Sequence, residues 1–209
     1  MAGRPRGVED VVILRAAAQV MGRLGPSGLT LAAVAREVGL VPGTLVQRFG
    51  SKRGLILALA DRSVRDAETL PARIRGEHAS ALEALAGLFA EWMAPMVSPE
   101  TFAHHLAFLC MDLTDPELHE RALAVHEAQR RSVGALLAEA VSTGELHAAT
   151  DVEALTATVQ AVTSGTGLLW ALDRRGALVR RVRDGLDAVL APHTAATTPL
   201  NPQEDLEKR

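Results

Sequence analysis

Residues 30–53 read TLAAVAREVGLVPGTLVQRFGSKR, and this stretch decides the fold of the N-terminal part of the chain. It predicts two short helices, at 31–38 and 42–48, joined by a tight turn. Gly39 lies in the turn, where a left-handed backbone favours glycine, and Ala35 is small where the helices approach each other. The apolar contacts between the helices are expected from Val34, Val38, Leu40 and Leu45. The pattern is typical of a helix-turn-helix, whose second helix enters the major groove of DNA.

The second helix carries side chains that suit a base edge or a phosphate. Gln47 can bond adenine and Arg48 can bond guanine, each through two hydrogen bonds. Thr44 can bond a phosphate or touch a thymine methyl, and Gly43 leaves room for a close backbone approach. Lys52 opens the next helix, where an ammonium group and free backbone N–H groups favour a phosphate. The alternative interpretation is two short core helices joined by a glycine turn, because the bare pattern is common.

The distribution of charge separates the N-terminal quarter from the rest of the chain. The net charge is −3, yet residues 1–54 hold eight Arg or Lys against three Asp or Glu, whereas residues 55–209 hold 14 against 22. This asymmetry is expected where only the N-terminal part meets phosphate; chance clustering in an Arg-rich chain is the alternative. In the arm at 1–8, we expect Arg4 and Arg6 to enter a minor groove, unless the arm is only a solvated basic tail.

Composition and punctuation predict an all-α protein of about nine helices. Aromatic residues make up 3% of the chain and tyrosine is absent, which favours helices over strands. Helices are predicted to begin at the caps Thr30, Ser51, Ser80, Ser98, Asp115 and Thr150, and to end at Gly25, Pro71, Pro95, Gly144 and Gly176. The expected organisation is a flexible arm at 1–8, a three-helix head at 9–54, a helical body at 55–191 and a disordered tail at 192–209.

Composition also limits where the protein works. No run of about 18 apolar residues lacks charge, and the first residues do not resemble a signal peptide. The single cysteine, Cys110, cannot form an internal disulfide. We therefore expect a cytoplasmic protein with no membrane partner.

The run GLVPGTLVQRFGSK at 39–52 resembles the signature of the TetR family of bacterial regulators, which typically reads GVSxGTLYxHFxSK. The matching residues are Gly39, Gly43, Thr44, Leu45, Phe49, Ser51 and Lys52. The layout of the whole chain fits the family, while the motif itself is confined to about the first 60 residues. The resemblance implies a DNA-binding transcriptional regulator, most simply a repressor, although the residues do not distinguish repression from activation.

Three positions depart from the family signature. Val41 replaces the usual serine cap, and Pro42 compensates in part through its fixed φ. Val46 replaces a tyrosine that reaches a phosphate or a thymine, and can itself meet a thymine methyl. Arg48 replaces a histidine and adds a charge. The predicted DNA-binding set is Arg4, Arg6, Thr30, Pro42, Gly43, Thr44, Val46, Gln47, Arg48 and Lys52. The operator sequence cannot be transferred from other members.

The resemblance also implies a homodimer, which places two heads on a palindromic operator, and an effector pocket in the body. The interface is expected on the last two helices, at Leu155, Val159, Val162, Thr166, Leu169, Leu178, Val182, Leu186 and Val189. A hydrophobic small molecule is expected among Phe89, Trp92, Met93, Met96, Phe102, His105, Phe108, Met111 and Trp170. For both sets, plain core packing is the alternative.

Other classes of function find less support. We find no glycine-rich phosphate loop, nucleophile elbow or metal-ligand spacing, so we expect neither an enzyme nor a cofactor. His104 and His105 are neighbours on one helix and diverge by about 100°, which disfavours a shared metal ion. A helical enzyme that uses Cys110, and a ligand-binding protein whose head has lost DNA binding, remain the alternatives.

Overall fold

The computed structural model describes residues 8–194, and within them the chain forms nine α-helices. Their bounds are α1 (Asp10–Gly28), α2 (Leu31–Glu37), α3 (Pro42–Phe49), α4 (Lys52–Glu77), α5 (Ala81–Met93), α6 (Pro99–Asp112), α7 (Pro116–Ser142), α8 (Val152–Asp173) and α9 (Leu178–Leu190). The described part of the chain contains no strand, and an isolated β-bridge joins Leu146 and Thr194. The all-α prediction is confirmed. Arg4, Arg6 and most of the predicted tail lie outside the described residues.

Most helices begin where short polar side chains predict. Ser51, Ser80 and Ser98 each accept a hydrogen bond from the backbone N–H three residues further on. Helix α8 differs, because its cap is Asp151, whose carboxylate accepts from the Ala154 N–H at 3.0 Å, and not Thr150 as predicted. The predicted start is therefore wrong by one residue, because aspartate is preferred to threonine as an N-cap.

Helix α4 continues past Pro71, where the sequence predicts its end. Beyond the proline, Ile74 is buried in the body. Arg75 forms a two-pronged ion pair with Glu139 on α7, with N–O distances of 2.6 and 2.9 Å to one carboxylate oxygen. These contacts offset the hydrogen bond that proline cannot donate.

Helix α1 also extends beyond its predicted end. Gly25 has a φ of +68°, which kinks the chain, and one further turn follows to Gly28. Pro26 occupies the start of that turn, where its missing N–H costs little. The glycine therefore bends the helix, and the chain resumes its helical course for one turn.

Buried side chains form two clusters, which we call the head core and the body core. The head core includes Ile13, Ala17, Val20, Leu29, Val34, Leu45, Leu55, Ile56 and Leu59, together with Phe108 from α6 and Leu118 from α7. The body core includes Ile74, Leu85, Leu88, Val133, Leu137, Val159, Trp170 and Leu186. Helix α4 contributes to both clusters, so a single rigid element joins the head to the body.

The head also docks directly on helix α6. The ring of His104 lies 2.8 Å from the Gly22 carbonyl oxygen, measured from Nδ1. A Cβ atom at Gly25 would lie 2.8 Å from the His104 ring, and one at Gly22 would lie 3.2 Å from the ring of His105. The close approach of α1 and α6 therefore requires small residues at these two positions.

Candidate DNA interface and ligand cavity

Helix α3 stands on the surface of the head and is held by few side chains. Leu45 is fully buried in the head core, and Phe49 is half-buried against it. Gly43 and Gln47 are exposed. Val46 is 49% exposed. The arrangement leaves nearly all of the helix surface available to a partner.

The turn before α3 has the expected geometry. Gly39 has a φ of +68°, and the Leu40 N–H donates to the Ala35 carbonyl at 2.8 Å. Val41 is the N-cap and its side chain makes no capping hydrogen bond, while Pro42 occupies the first turn. The side chain of Thr30 caps α2, accepting from the Ala33 N–H at 3.0 Å. The structure thus agrees with the sequence: α3 begins without a side-chain cap, and a proline occupies its first turn.

Two predicted DNA-binding cations have intramolecular partners. The Arg48 guanidinium donates to the Asp10 carboxylate at 3.0 Å and to the Val8 carbonyl oxygen, both at the start of α1. The Lys52 ammonium donates to the Pro26 carbonyl at 2.6 Å, at the kink of α1. Lys52 retains two further N–H donors, whereas Arg48 must leave Asp10 to reach a base.

Other basic residues of the head are also paired. Arg23 bonds Glu37 at 2.6 Å, which raises the pKa of Arg23 and lowers the pKa of Glu37 through their hydrogen bond. Arg53 bonds Asp115 at 3.1 Å and Glu117 at 2.5 Å, so it joins the start of α4 to the start of α7. The basic count of the sequence therefore overstates the charge that the described part of the head presents to DNA.

The residues predicted for the effector pocket divide among three environments. Six of them pack in or against the body core: Phe89, Trp92, Met93, Met96, Phe102 and Trp170. The rings of Trp170 and Phe102 are nearly perpendicular, with centroids 6.3 Å apart, and the indole N–H of Trp170 donates to the Gly176 carbonyl at 3.0 Å. Met111 is exposed. His105 and Phe108 line a cavity between head and body.

That cavity is an open cleft with two parts that adjoin between α4 and α6; we call the part beside α1 inner and the part beside α7 outer. The inner part, of about 160 Å³, is lined mainly by apolar residues: Met21, Ile56, Leu59, Ala60, Ser63, His105, Phe108, Leu109 and Asp112. The outer part, of about 370 Å³, shares four of these and adds Arg121, Ala122, Val125, His126, Gln129 and Ser164. We call both parts together the junction cavity. Its α7 and α8 residues were missed, because sequence reasoning followed aromatic and methionine side chains.

The junction cavity contains one strongly perturbed carboxyl group. Burial, and then the charge of Asp115, raise the pKa of Asp112 to about 6. The Asp112 carboxylate forms no ion pair or side-chain hydrogen bond with any of residues 8–194. Burial, and then its neighbour His104, lower the pKa of His105, which favours a neutral imidazole. The sequence signal that could have indicated Asp112 is an acidic residue at the otherwise apolar C-terminal end of α6.

The predicted interface residues on α8 and α9 also divide. Leu155, Val159, Leu178, Val182 and Leu186 are buried in the body core and cannot face a partner. Val162, Thr166 and Val189 are half-buried and Leu169 is exposed. The sequence pattern identified the apolar side of each helix, and in α8 and α9 that side covers the chain's own core.

A different side of α8 is apolar and, apart from the half-buried Gly165, exposed. Its members are spaced three or four residues apart, and we call them the α8 stripe: Ala154, Ala157, Ala161, Gly165, Leu168 and Leu172. Leu172 is 73% exposed and Leu168 is 48% exposed. Such a row of small and apolar residues is unusual on a surface that faces only water.

Residues 8–194 contain neither a metal-binding cluster nor a membrane-spanning helix. No cluster of three His, Cys, Asp or Glu side chains is arranged to hold a metal ion. No described helix is both long and apolar enough to cross a membrane.

Family comparison now decides the identity of the fold. The model of bacterial regulatory proteins of the tetR family matches residues 13–59, and the model of the tetracyclin repressor-like C-terminal domain matches residues 81–186. The chain belongs to the TetR family. It is therefore a DNA-binding transcriptional regulator, and the resemblance seen in the signature at 39–52 is confirmed.

Several solved structures have a similar fold. A protein from Saccharomonospora viridis in complex with choline is 19% identical, with a TM-score of 0.70 over 87% of this chain and 94% of that one. FadR from Bacillus subtilis, in complex with stearoyl-CoA, is 19% identical (TM-score 0.63, 88% and 98%). SmeT, the repressor of the Stenotrophomonas maltophilia efflux pump SmeDEF, is 16% identical (TM-score 0.65, 91% and 93%). No curated protein matches the sequence. At these identities the likeness shows the fold.

Gly43 offers a test of close DNA approach in this TetR-family head. A Cβ atom there meets nothing within 4 Å, so Gly43→Ala should fold normally. We expect operator affinity to fall about tenfold, because the added methyl occupies the space between α3 and the DNA backbone. Fluorescence anisotropy with labelled operator measures this. Gly76→Ala, an equally open position on α4, is the matched control, and equal affinities of the two variants would contradict the prediction.

Asp112 gives a prediction for pH dependence. Its raised pKa means that ionisation disfavours the folded state, a cost absent below the unfolded pKa and complete above about pH 6. Asp112→Asn should therefore stabilise the protein by about 1 kcal/mol at pH 7.5, after allowance for solvent screening. The gain should shrink as pH falls from 6 towards 4. Urea unfolding followed by circular dichroism measures it, with Glu120→Gln on exposed α7 surface as control. A gain independent of pH would contradict the assignment.

Proposed function

We propose that this chain is a homodimeric repressor that binds a palindromic operator and leaves it when a small hydrophobic molecule occupies the junction cavity. The observation that carries the proposal is the placement of α3. The helix is anchored by Leu45 in the head core, and that core also contains Phe108 from the wall of the cavity. The surface offered to DNA and the surface offered to a ligand thus belong to one packed unit.

The proposed DNA surface is the exposed side of α3 with the helix starts beside it. Its described members are Thr30, Pro42, Gly43, Thr44, Val46, Gln47, Arg48 and Lys52. Gln47 and Arg48 are assigned to base edges, and Val46 to a thymine methyl. Arg48 exchanges its exposed ion pair with Asp10 for DNA, which costs little because such pairs contribute about 0–1 kcal/mol.

The proposed dimer forms through the α8 stripe, because small residues allow two helices to approach closely. A Cβ atom at Gly165 meets nothing within 4 Å of the same chain, so the space beside it is open to a partner helix. Leu168 and Leu172 supply apolar area that water otherwise covers. Exposed Leu169 is the one predicted interface residue that lies beside this surface.

The proposed effector binds in the body, and two structurally similar proteins were solved in complex with small molecules, choline and stearoyl-CoA. SmeT supports a repressor role by likeness of fold. Occupation of the cavity displaces α4 against α6, and both helices hold the head, α4 through Leu55 and Leu59 and α6 through His104. The coupling is reciprocal, so operator DNA must weaken effector binding by the same factor.

The operator contact of Arg48 is tested with DNA selected from genomic fragments. We expect Arg48→Ala to weaken specific binding by about 1–3 kcal/mol and to relax the preference at one base pair, because one bidentate contact is lost. Anisotropy titrations on the operator and on single-base variants measure both effects. Arg183→Ala removes an exposed, ion-paired arginine of α9 and should leave both unchanged. If no genomic fragment is retained, the repressor proposal is wrong.

The dimer surface is tested by a charge on the α8 stripe. Leu168→Arg should convert the dimer to a monomer and lower operator affinity, because a monomer reaches a single half-site. Sedimentation equilibrium reports the mass, and circular dichroism reports the fold. Leu113→Arg changes an equally apolar residue, 58% exposed at the end of α6, and should leave the dimer intact. A dimer that survives Leu168→Arg but not Leu113→Arg places the interface elsewhere.

A further inference from the structure

The junction cavity combines an apolar wall with a single unneutralised carboxylate. The inner part is lined by Met21, Leu59 and Phe108, and Leu109 lies between the two parts with 44% of its surface exposed. Asp112 borders both parts. We propose that the junction cavity takes an organic cation with an apolar body, whose positive group lies beside the Asp112 carboxylate. This inference rests on the proposed function and names the chemical class of its effector.

The charges that face Asp112 do not cancel it. Arg121 on α7 lines the outer part, but its guanidinium bonds the Asp61 carboxylate on α4 at 2.6 Å. Asp115 adds a second negative charge nearby, and its own partner is Arg53 at 3.1 Å. Of the carboxylates and guanidinium groups that line the junction cavity, Asp112 is the one that has no ion-pair partner within residues 8–194.

The two imidazoles complete the set of titratable groups. His105 on α6 faces the inner part, where burial lowers its pKa and favours the neutral ring. His126 on α7 lines the outer part and is exposed. Neither histidine forms an ion pair with Asp112 within the part of the chain that the structure describes. The fixed positive charge that a cationic ligand meets in the outer part is Arg121, which is already paired with Asp61.

The energetic argument favours a cation over other ligands. A half-buried carboxylate without partners is costly, and the raised pKa of Asp112 expresses that cost. A cation beside it replaces lost solvation and lowers the pKa again. A neutral ligand leaves the cost in place, and an anion adds to it. The neighbouring polar groups, Ser63 and Gln129, can orient a ligand but supply no charge.

Asp112 also occupies a position from which a bound cation can affect the head. It ends α6, the helix on which His104 meets the kinked part of α1. Three residues later, Asp115 caps α7 and holds Arg53 at the start of α4. A positive group at Asp112 also attracts the Asp115 carboxylate and repels the Arg53 guanidinium. It therefore weakens the ion pair between Asp115 and Arg53. The charge of the ligand thus acts on an ion pair close to the contact between head and body.

The test uses three amphiphiles with the same eight-carbon chain and different head groups: octyltrimethylammonium, octanol and octanoate. Isothermal titration calorimetry on the full chain at pH 7.5 measures their affinities. We expect the cation to bind most tightly and octanoate most weakly. Asp112→Asn should weaken the cation about tenfold and leave octanol unchanged, because only the cation gains from the carboxylate. Glu120→Gln removes an exposed carboxylate of α7 and should change neither.

Three results with the unsubstituted chain overturn the inference. These are equal affinity for the cation and octanol, tightest binding of octanoate, and binding of none of the three. Failure of Asp112→Asn to weaken the cation, in a variant shown by circular dichroism to be folded, also overturns it. These titrations need no DNA, so they stand even if the repressor proposal fails. Conversely, release of the operator by octanol as readily as by the cation would support the repressor proposal and contradict the cation assignment.

Discussion

Helix α4 is the constraint on which the rest of the structure depends. Its first turns place Leu55 and Leu59 in the head core, and its last turns place Ile74 in the body core. The helix remains continuous through Pro71 because Arg75 and Glu139 hold its far end against α7. A rigid helix shared by two cores cannot shift at one end without stress at the other, since packed interiors deform little. Head position and cavity shape are therefore linked by packing.

The recognition helix follows a different physical logic. Leu45 anchors α3 through a single deep contact, and the exposed valines at 41 and 46 are left in water. Arg48 is held by Asp10 in the absence of DNA, so the side chain keeps its solvent exposure and its charge at little cost in stability. The buried side of such a helix supplies its stability. Its exposed side chains are therefore not needed for folding and are available for binding.

The junction cavity shows why a body of this kind is hard to interpret from residue types. Aromatic and methionine side chains indicated a pocket, yet Phe89, Trp92 and Trp170 pack in or against the body core. The cavity instead depends on Asp112 and on α7 and α8 side chains from distant parts of the chain. Apolar side chains fill cores and line pockets equally well, so their presence does not distinguish the two. The proposal for this cavity rests instead on Asp112, which is half-buried and has no ion-pair partner within residues 8–194.

The sequence by itself determined the helical class, most helix starts, the turn at Gly39 and the family signature at 39–52, because these depend on residues close together in the chain. Only the tertiary structure decided which side of α8 is covered, that α4 passes Pro71, and that Arg48 pairs with Asp10. Each of these depends on what another helix brings to the same place. Periodicity shows that α8 has an apolar side, but two of its sides are apolar, and only packing decides which one the chain itself buries.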